Sequence, residues 1–205
     1  MAKRIAVLSD THGLLRPEVL DAIAGCDAII HGGDINKPEI IDRLKEIAPV
    51  YVVRGNNDKE WAEHLPVTLT FQIEDCRFFL VHNKKEVPKT LTGIDAVIFG
   101  HSHRYFEQVI DGRLWLNPGS CGKRRFDQEI TFAILTVEGK TVSTEKISIP
   151  HKENPAAAPY LPFSAADTPL KKSSFRWKGD FQISRRMKVV SPSAAIMRFT
   201  LGWFS

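Results

Sequence analysis

The chain has 205 residues, 43% of them apolar and 25% charged, a composition that fits a globular protein with one well-filled core and an appended segment. The longest stretch free of charge and histidine, residues 154–166, is 13 residues long and carries Pro155, Pro159 and Pro162, which excludes it as a membrane-spanning helix. The net charge of +4 divides unevenly: residues 1–150 carry 19 basic and 21 acidic side chains, whereas 151–205 carry nine and three.

Lys3 to Leu8 is a short branched apolar run ending in Ser9-Asp10, as a buried strand opening into a polar loop would be. Pro17 suits a first helical position, with Val19, Leu20 and Ile23 on one face before Gly25. Ala28 to Ile30 reads as a second strand and leads into His31-Gly32-Gly33-Asp34. Pro38 opens a further helix whose stripe is Ile40, Ile41, Leu44 and Ile47, with Pro49 as the stop. Val50 to Val53 is a third strand, running into Arg54-Gly55-Asn56-Asn57-Asp58. Strand, helix, strand, helix, strand in this order predicts parallel pairing through right-handed crossovers.

After a linker at Trp61 to Pro66 the pattern turns to strands: Val67 to Ile73, Arg77 to Val81, Ala96 to Phe99, Leu114 to Leu116, Ile130 to Val137 and Val142 to Ile149. Only Val87 to Gly93 reads as helical in this half. The expected fold class is α/β, a four-layer α/β/β/α sandwich with two mixed sheets, formed by residues 1–150. Residues 151–205 hold five of the 12 prolines and no sustained period of 3.6 or 2.0, so a basic, poorly ordered extension is expected. Cys26, Cys76 and Cys121 are odd in number and contain no CxxC, so neither a disulfide framework nor a cysteine zinc site is indicated. The N-terminal apolar run is too short for a signal peptide, which makes the cytoplasm the expected location.

Five of the predicted strands end in residues that bind hard or borderline metals: Asp10 and His12, Asp34, Asn56, His82, then His101 and His103. Sites in open α/β sheets gather where strand carboxyl ends converge. Seven such side chains exceed what one ion uses, but two ions about 3.5 to 4 Å apart, bridged by a carboxylate, would employ them all. Asp34 is the natural bridge, because its two oxygens can serve different ions. Asn56 offers a neutral carbonyl oxygen. Taken singly, each residue has a plainer explanation: a surface histidine, or a turn residue beside glycine. The specificity lies in the ordered set.

Asp10-Thr11-His12, Gly33-Asp34, Gly55-Asn56-Asn57-Asp58, His82, Gly100-His101-Ser102-His103 and Asn117-Pro118-Gly119-Ser120 resemble the motifs of the calcineurin-like metallophosphoesterase superfamily. Within it, residues 3–150 are similar to the compact prokaryotic phosphodiesterases related to the retromer scaffold subunit. The resemblance implies that Asp10, His12, Asp34 and His103 hold one divalent ion, and Asp34, Asn56, His82 and His101 the other. It further implies that metal-bound hydroxide attacks phosphorus, with Asp34, Asn56, His82 and His101 counted as catalytic. Mn2+ is the first expectation for the cofactor, with Ni2+, Fe2+, Zn2+ and Mg2+ as alternatives. Expected substrates are small phosphodiesters or phosphomonoesters. Asn56, Arg54, Lys123, Arg124 and Arg125 are the candidates for holding the substrate's charge, set against plain solvated surface charge for the basic run.

Two departures from the family pattern stand out. Asn57 occupies a position where many members have a histidine that protonates the leaving group, and Asn83 a position where glycine is usual. Two other readings compete with the enzyme: a non-catalytic metal-binding scaffold on the same fold, and a nucleic-acid-binding module built on the basic tail. The tail's scattered cations and sparse aromatics speak against nucleic acid. A membrane partner is not expected, and association into a homo-oligomer is left open by the sequence.

Overall fold

The computed structural model describes residues 1–125 and 127–150 and the backbone of 184–190. Among these the elements run β1 (Lys3–Leu8), α1 (Pro17–Ile23), β2 (Ala28–His31), α2 (Pro38–Lys45), β3 (Val50–Val52), β4 (Thr68–Ile73), β5 (Cys76–Val81), β6 (Ala96–Ile98), β7 (Tyr105–Ile110), β8 (Arg113–Pro118), β9 (Ile130–Glu138), β10 (Thr141–Ile149) and β11 (Ser184–Val190). Side chains of β1 alternate between two apolar layers: Ile5 and Val7 enter one, Ala6 and Leu8 the other. That alternation sets the layering of the molecule.

One sheet has the order β11-β10-β9-β1-β2-β3, and the other β4-β5-β6-β8-β7. The β1, β2 and β3 strands are parallel, as the predicted crossovers require, while β9 and β10 join antiparallel. In the second sheet β5, β6 and β8 are parallel and the edge strands β4 and β7 antiparallel. Both sheets are therefore mixed. Between them lie Ile5, Val7, Ile30, Phe78, Leu80, Ile98, Leu114, Leu116 and Leu135, all buried.

Each helix opens on proline, whose missing N–H costs nothing at a first helical position. Val19 and Ile23 of α1 and Ile40, Ile41 and Leu44 of α2 pack on the outer face of the first sheet with Leu8, Ile29 and Phe132. The outer layer of the second sheet has a different composition. There Phe79, Val81, Val97 and Phe99 pack with Phe106 and Trp115 of the same sheet and with Val87, Leu91 and Ile94 of the loop after β5.

The segment Val87 to Gly93, read from sequence as helical, is a loop following a short 3-10 turn at Lys84–Glu86. Pro88 disfavours the helical conformation at Val87, whose ψ is 126°, and Gly93 takes a φ of 66°. Strand β7 was absent from the sequence reading. Its signal is the Asp111-Gly112 pair, which takes φ values of 51° and 72° and joins β7 to β8 as a tight hairpin. Within the basic extension, Ser184–Val190 pairs antiparallel with β10, a strand the sequence reading did not place. The expectation of poor order across the remainder of 151–205 falls outside the described residues. No described helix is long and apolar enough to cross a membrane.

Phe78 is fully buried between the sheets, whereas Thr70 lies on an exposed face. Phe78→Ala is expected to cost about 3 to 5 kcal/mol in urea unfolding, and Thr70→Ala less than about 0.5. Equal losses from the two variants would contradict this placement of the core.

Candidate metal centre

The carboxyl ends of β1, β2, β3, β5 and β6 deliver all seven predicted ligand residues to one end of the two sheets. The pairing of β1 with β2 is prolonged beyond the strands by three backbone hydrogen bonds. The amides of Asp10, His12 and Gly13 donate to the carbonyls of Gly33, Asp34 and Ile35 at 3.0, 2.9 and 2.8 Å. Asp10, His12 and Asp34 are thereby held side by side.

Asp10, His12, Asp34 and His103 form a buried group whose ligand-type atoms all lie within 4.8 Å of one another. The Nε2 atoms of His12 and His103 are 3.1 Å apart, and His103 Nε2 is 3.2 Å from Asp10 Oδ1. A second group stands beside it. Asn56 Oδ1 lies 3.0 Å from His82 Nε2 and 2.9 Å from His101 Nδ1, and His82 Nε2 is 3.5 Å from Asp34 Oδ1. The other oxygen of Asp34, Oδ2, lies 3.8 Å from His12 Nε2. One carboxylate thus presents one oxygen to each group.

The donor chemistry fits cations. Asp10 Oδ2 accepts from Ser9 Oγ at 2.7 Å and from the His101 amide at 3.1 Å, yet Asp10 Oδ1 is buried with no hydrogen-bond partner among the described residues. His103 Nε2 is close enough to Oδ1 for a charge contact, though not placed for a hydrogen bond. An orphaned carboxylate oxygen facing two imidazole nitrogens is what a bound cation would satisfy. In the second group, His82 Nδ1–H donates to the Gly32 carbonyl at 2.7 Å, so neutral His82 turns its Nε2 lone pair toward the Asn56 oxygen. Ligand-type atoms converge in both groups.

The backbone carries the cost of this convergence. Asp10, His12, Asp34, His101 and His103 all have left-handed φ values, between 47° and 69°. Each such residue stores about 1 to 3 kcal/mol, and strain of this kind collects at functional sites. Glycines make the close approach feasible. A Cβ on Gly100 would collide with the Ser9 side chain and sit 2.8 Å from Asp10 Oδ2; on Gly33 it would lie 2.7 Å from the Gly55 amide nitrogen.

Several supporting residues carried no role in the sequence reading. Asp58 accepts from the Ile35 and Asn36 amides at 2.8 and 2.7 Å through one oxygen and from the Gly55 amide at 2.8 Å through the other, tying the β2 and β3 loops together. Asn117, named above only within the Asn117-Pro118-Gly119-Ser120 motif, donates to the Gly100 carbonyl and to Ser102 Oγ and fixes the loop bearing His101 and His103. His31 is fully buried. Its Nδ1 accepts from the Gly33 amide, so its Nε2–H donates to Thr11 Oγ1. Aspartate after Asn-Asn and histidine at a strand end were the available signals, but neither distinguishes a brace from a ligand.

The basic residues separate on inspection. Arg125 reaches the site, with Nη2 3.5 Å from His12 Nδ1. Arg124 turns to Asp127 and the Gln128 carbonyl, and Lys123 is exposed. Arg54 is half-buried, its amide donating to the Pro66 carbonyl, and no contact of its side chain with the ligand residues is seen among the described residues. Ser9, hydrogen-bonded to Asp10, has its hydroxyl proton engaged.

Burial works against ionisation of Asp34, but hydrogen bonds and charge from His82 and Asn57 outweigh it and hold the carboxyl well below the usual range. Burial likewise lowers His82, and the facing carboxylates and Gly32 carbonyl reverse the sign, raising it. Burial, then Arg125, lowers His12. A cation would replace the proton that His82 attracts, so binding should release protons.

A sequence profile described as the calcineurin-like phosphoesterase superfamily domain matches residues 4–140. The chain belongs to this superfamily. A probable metallophosphoesterase of Methanothermobacter thermautotrophicus is 33% identical over 158 residues, covering 70% of this chain and 91% of that protein. A phosphodiesterase of Methanocaldococcus jannaschii is 31% identical over 141 residues, covering 58% and 84%. Among solved structures, Vps29 of Chaetomium thermophilum superposes with a TM-score of 0.69 at 17% identity, covering 93% of this chain and all of that one. The last likeness is one of fold.

Burial pushes His31 down to about 4. The unfolded chain therefore binds a proton that the folded chain refuses between pH about 6.5 and 4. Stability of the metal-free protein should fall as pH drops through that window, by up to about 1.4 kcal/mol per pH unit for this one proton. His12 acts with the same sign, Asp34 acts only at lower pH, and raised His82 changes stability only above about 6.5. Urea midpoints across this range test the expectation. A flat acid limb, or one as steep in His31→Gln as in the wild type, contradicts it.

Proposed function

We propose that the protein is a divalent-metal-dependent phosphodiesterase whose site takes two ions. The observation that carries this reading is the division of seven donor side chains into two groups joined by Asp34. Asp10, His12 and His103 would hold one ion with Asp34 Oδ2, and Asn56, His82 and His101 the other with Asp34 Oδ1. When bound, such ions acidify a coordinated water and offset the charge that builds on the phosphoryl oxygens.

The residues of this chain do the rest. The first group is buried, whereas Asn56 and His101 are exposed, so substrate approaches from the second. The Asn56 amide nitrogen remains free to meet a phosphoryl oxygen while its Oδ1 faces the two imidazoles. Arg125, at the rim beside His12, supplies positive charge for the ester's anionic oxygens. Mixed oxygen and imidazole donors accommodate Mn2+, Fe2+, Ni2+ and Zn2+ alike; resemblance to the family puts Mn2+ first, with Ni2+, Fe2+, Zn2+ or Mg2+ as alternatives. The substrate is a small ester and the location the cytoplasm. A non-catalytic scaffold draws only on the fold shared with Vps29, and a scaffold has no use for an orphaned, buried carboxylate oxygen among imidazoles.

Chelated protein should be inert toward bis(p-nitrophenyl) phosphate and regain turnover with Mn2+, while Asp34→Asn stays at the chelated level at the same Mn2+ concentration. Turnover that survives chelation overturns the reading. No acid stands at position 57, because an amide cannot deliver a proton. The aryl diester should therefore outpace a dialkyl diester by about 10²-fold or more, the scale of a positioned general acid. Comparable turnover of the two esters contradicts the absence of such an acid.

A further inference from the structure

Asn57 stands where the superfamily often carries histidine, and its side chain does not face the open side of the site. Its backbone amide donates to Asp34 Oδ1 at 2.8 Å, and its side-chain amide donates to Asp34 Oδ2 at 2.6 Å. Both oxygens of one carboxylate are gripped by one residue. A carboxylate held at a single oxygen can pivot about that bond, whereas one held at both has its plane fixed.

The grip also decides where the remaining lone pairs point. Each carboxylate oxygen offers about two acceptor directions. Asn57 takes one on each, leaving Oδ2 directed at the group with His12 and Oδ1 at the group with His82, 3.8 and 3.5 Å from their Nε2 atoms. The two groups depend on Asp34 unequally. The first retains the charge of Asp10 without it, but the second has only neutral donors, Asn56, His82 and His101, besides Asp34 Oδ1. Without the Asn57 side chain the backbone amide still holds Oδ1, but the carboxylate can pivot about that single bond, so the direction of the Oδ1 lone pair left for the second ion, whose one anionic donor it is, is no longer fixed.

We infer that Asn57 is a positioning residue that holds Asp34 in its bridging orientation and so sustains binding of the second ion, the one beside Asn56. The inference rests on the two-ion reading above and adds to it a cause for the asymmetry between the sites. It also gives position 57 a function that depends on an N–H donor and requires no proton transfer. Aspartate there would be nearly isosteric but would replace the donor with a like charge, so Asn57→Asp should weaken the second site more than Asn57→Ala does.

The test uses the full chain, stripped of metal and titrated with Mn2+ by calorimetry, with electron paramagnetic resonance at each equivalent. Wild type should take two ions and give an exchange-coupled spectrum. Asn57→Ala should keep the first ion near wild-type affinity, bind the second about 10 to 100-fold more weakly, and still show isolated Mn2+ at two equivalents, where the wild type is coupled. Metal-free melting temperatures check that the variants are folded; should Asn57→Ala fail to fold, Asn57→Ser, whose shorter hydroxyl falls back from Oδ2, is read in the same way. Two ions bound by a folded variant with wild-type affinities and an unchanged coupled spectrum would overturn the inference alone. Uptake of a single ion by the wild type would overturn the two-ion reading and this inference with it.

Discussion

The arrangement turns on one buried carboxylate. Asp34 carries charge at the meeting point of two parallel-strand loops, and it is stabilised there by hydrogen bonds and by imidazoles on either side. Placing it beside Asp10 concentrates negative charge and lone pairs that no donor among the described residues fully satisfies. Folding tolerates this because rigid elements behind the site outweigh it: the β1–β2 ladder continued through the loops, the Asp58 brace, and the Asn117 contacts under the His101 loop. Left-handed φ values at five of the predicted ligand residues are the visible cost.

This explains why two sheets are needed. The β1, β2 and β3 strands bring Asp10, His12, Asp34 and Asn56 from one sheet, and β5 and β6 bring His82, His101 and His103 from the other. Face-to-face packing of the sheets through Ile5, Val7, Phe78 and Ile98 aligns the two sets of strand ends. Neither sheet holds a complete set of donors, so the integrity of the core and the geometry of the centre are linked. The outcome is a buried group, Asp10, His12, Asp34 and His103, next to one whose Asn56 and His101 are exposed while His82 is buried.

The sequence disclosed much of this because the relevant signals are local. The branched apolar run of β1, proline-opened helices and apolar runs ending in Asp, Asn or His are readable within short windows. Val87 to Gly93 misled because its apolar spacing resembles a helical face while Pro88 works against helix at the residue before it. Strand β7 escaped because Glu107 and Gln108 dilute its apolar content, although Asp111-Gly112 marks the hairpin. The roles of His31, Asp58 and Asn57 were not legible, since each depends on a partner at least 20 residues away. Residue type shows that Asp34 can bridge; only three-dimensional placement shows that its oxygens face separate donor groups.

The most direct measurement is anomalous diffraction at the manganese edge from crystals soaked in Mn2+. Two peaks about 3.5 to 4 Å apart, one between His12 and His103 and one beside Asn56 and His82, with Asp34 contributing an oxygen to each, is the predicted result. An empty site, or a single ion with the imidazoles of His82 and His101 turned away, would contradict it.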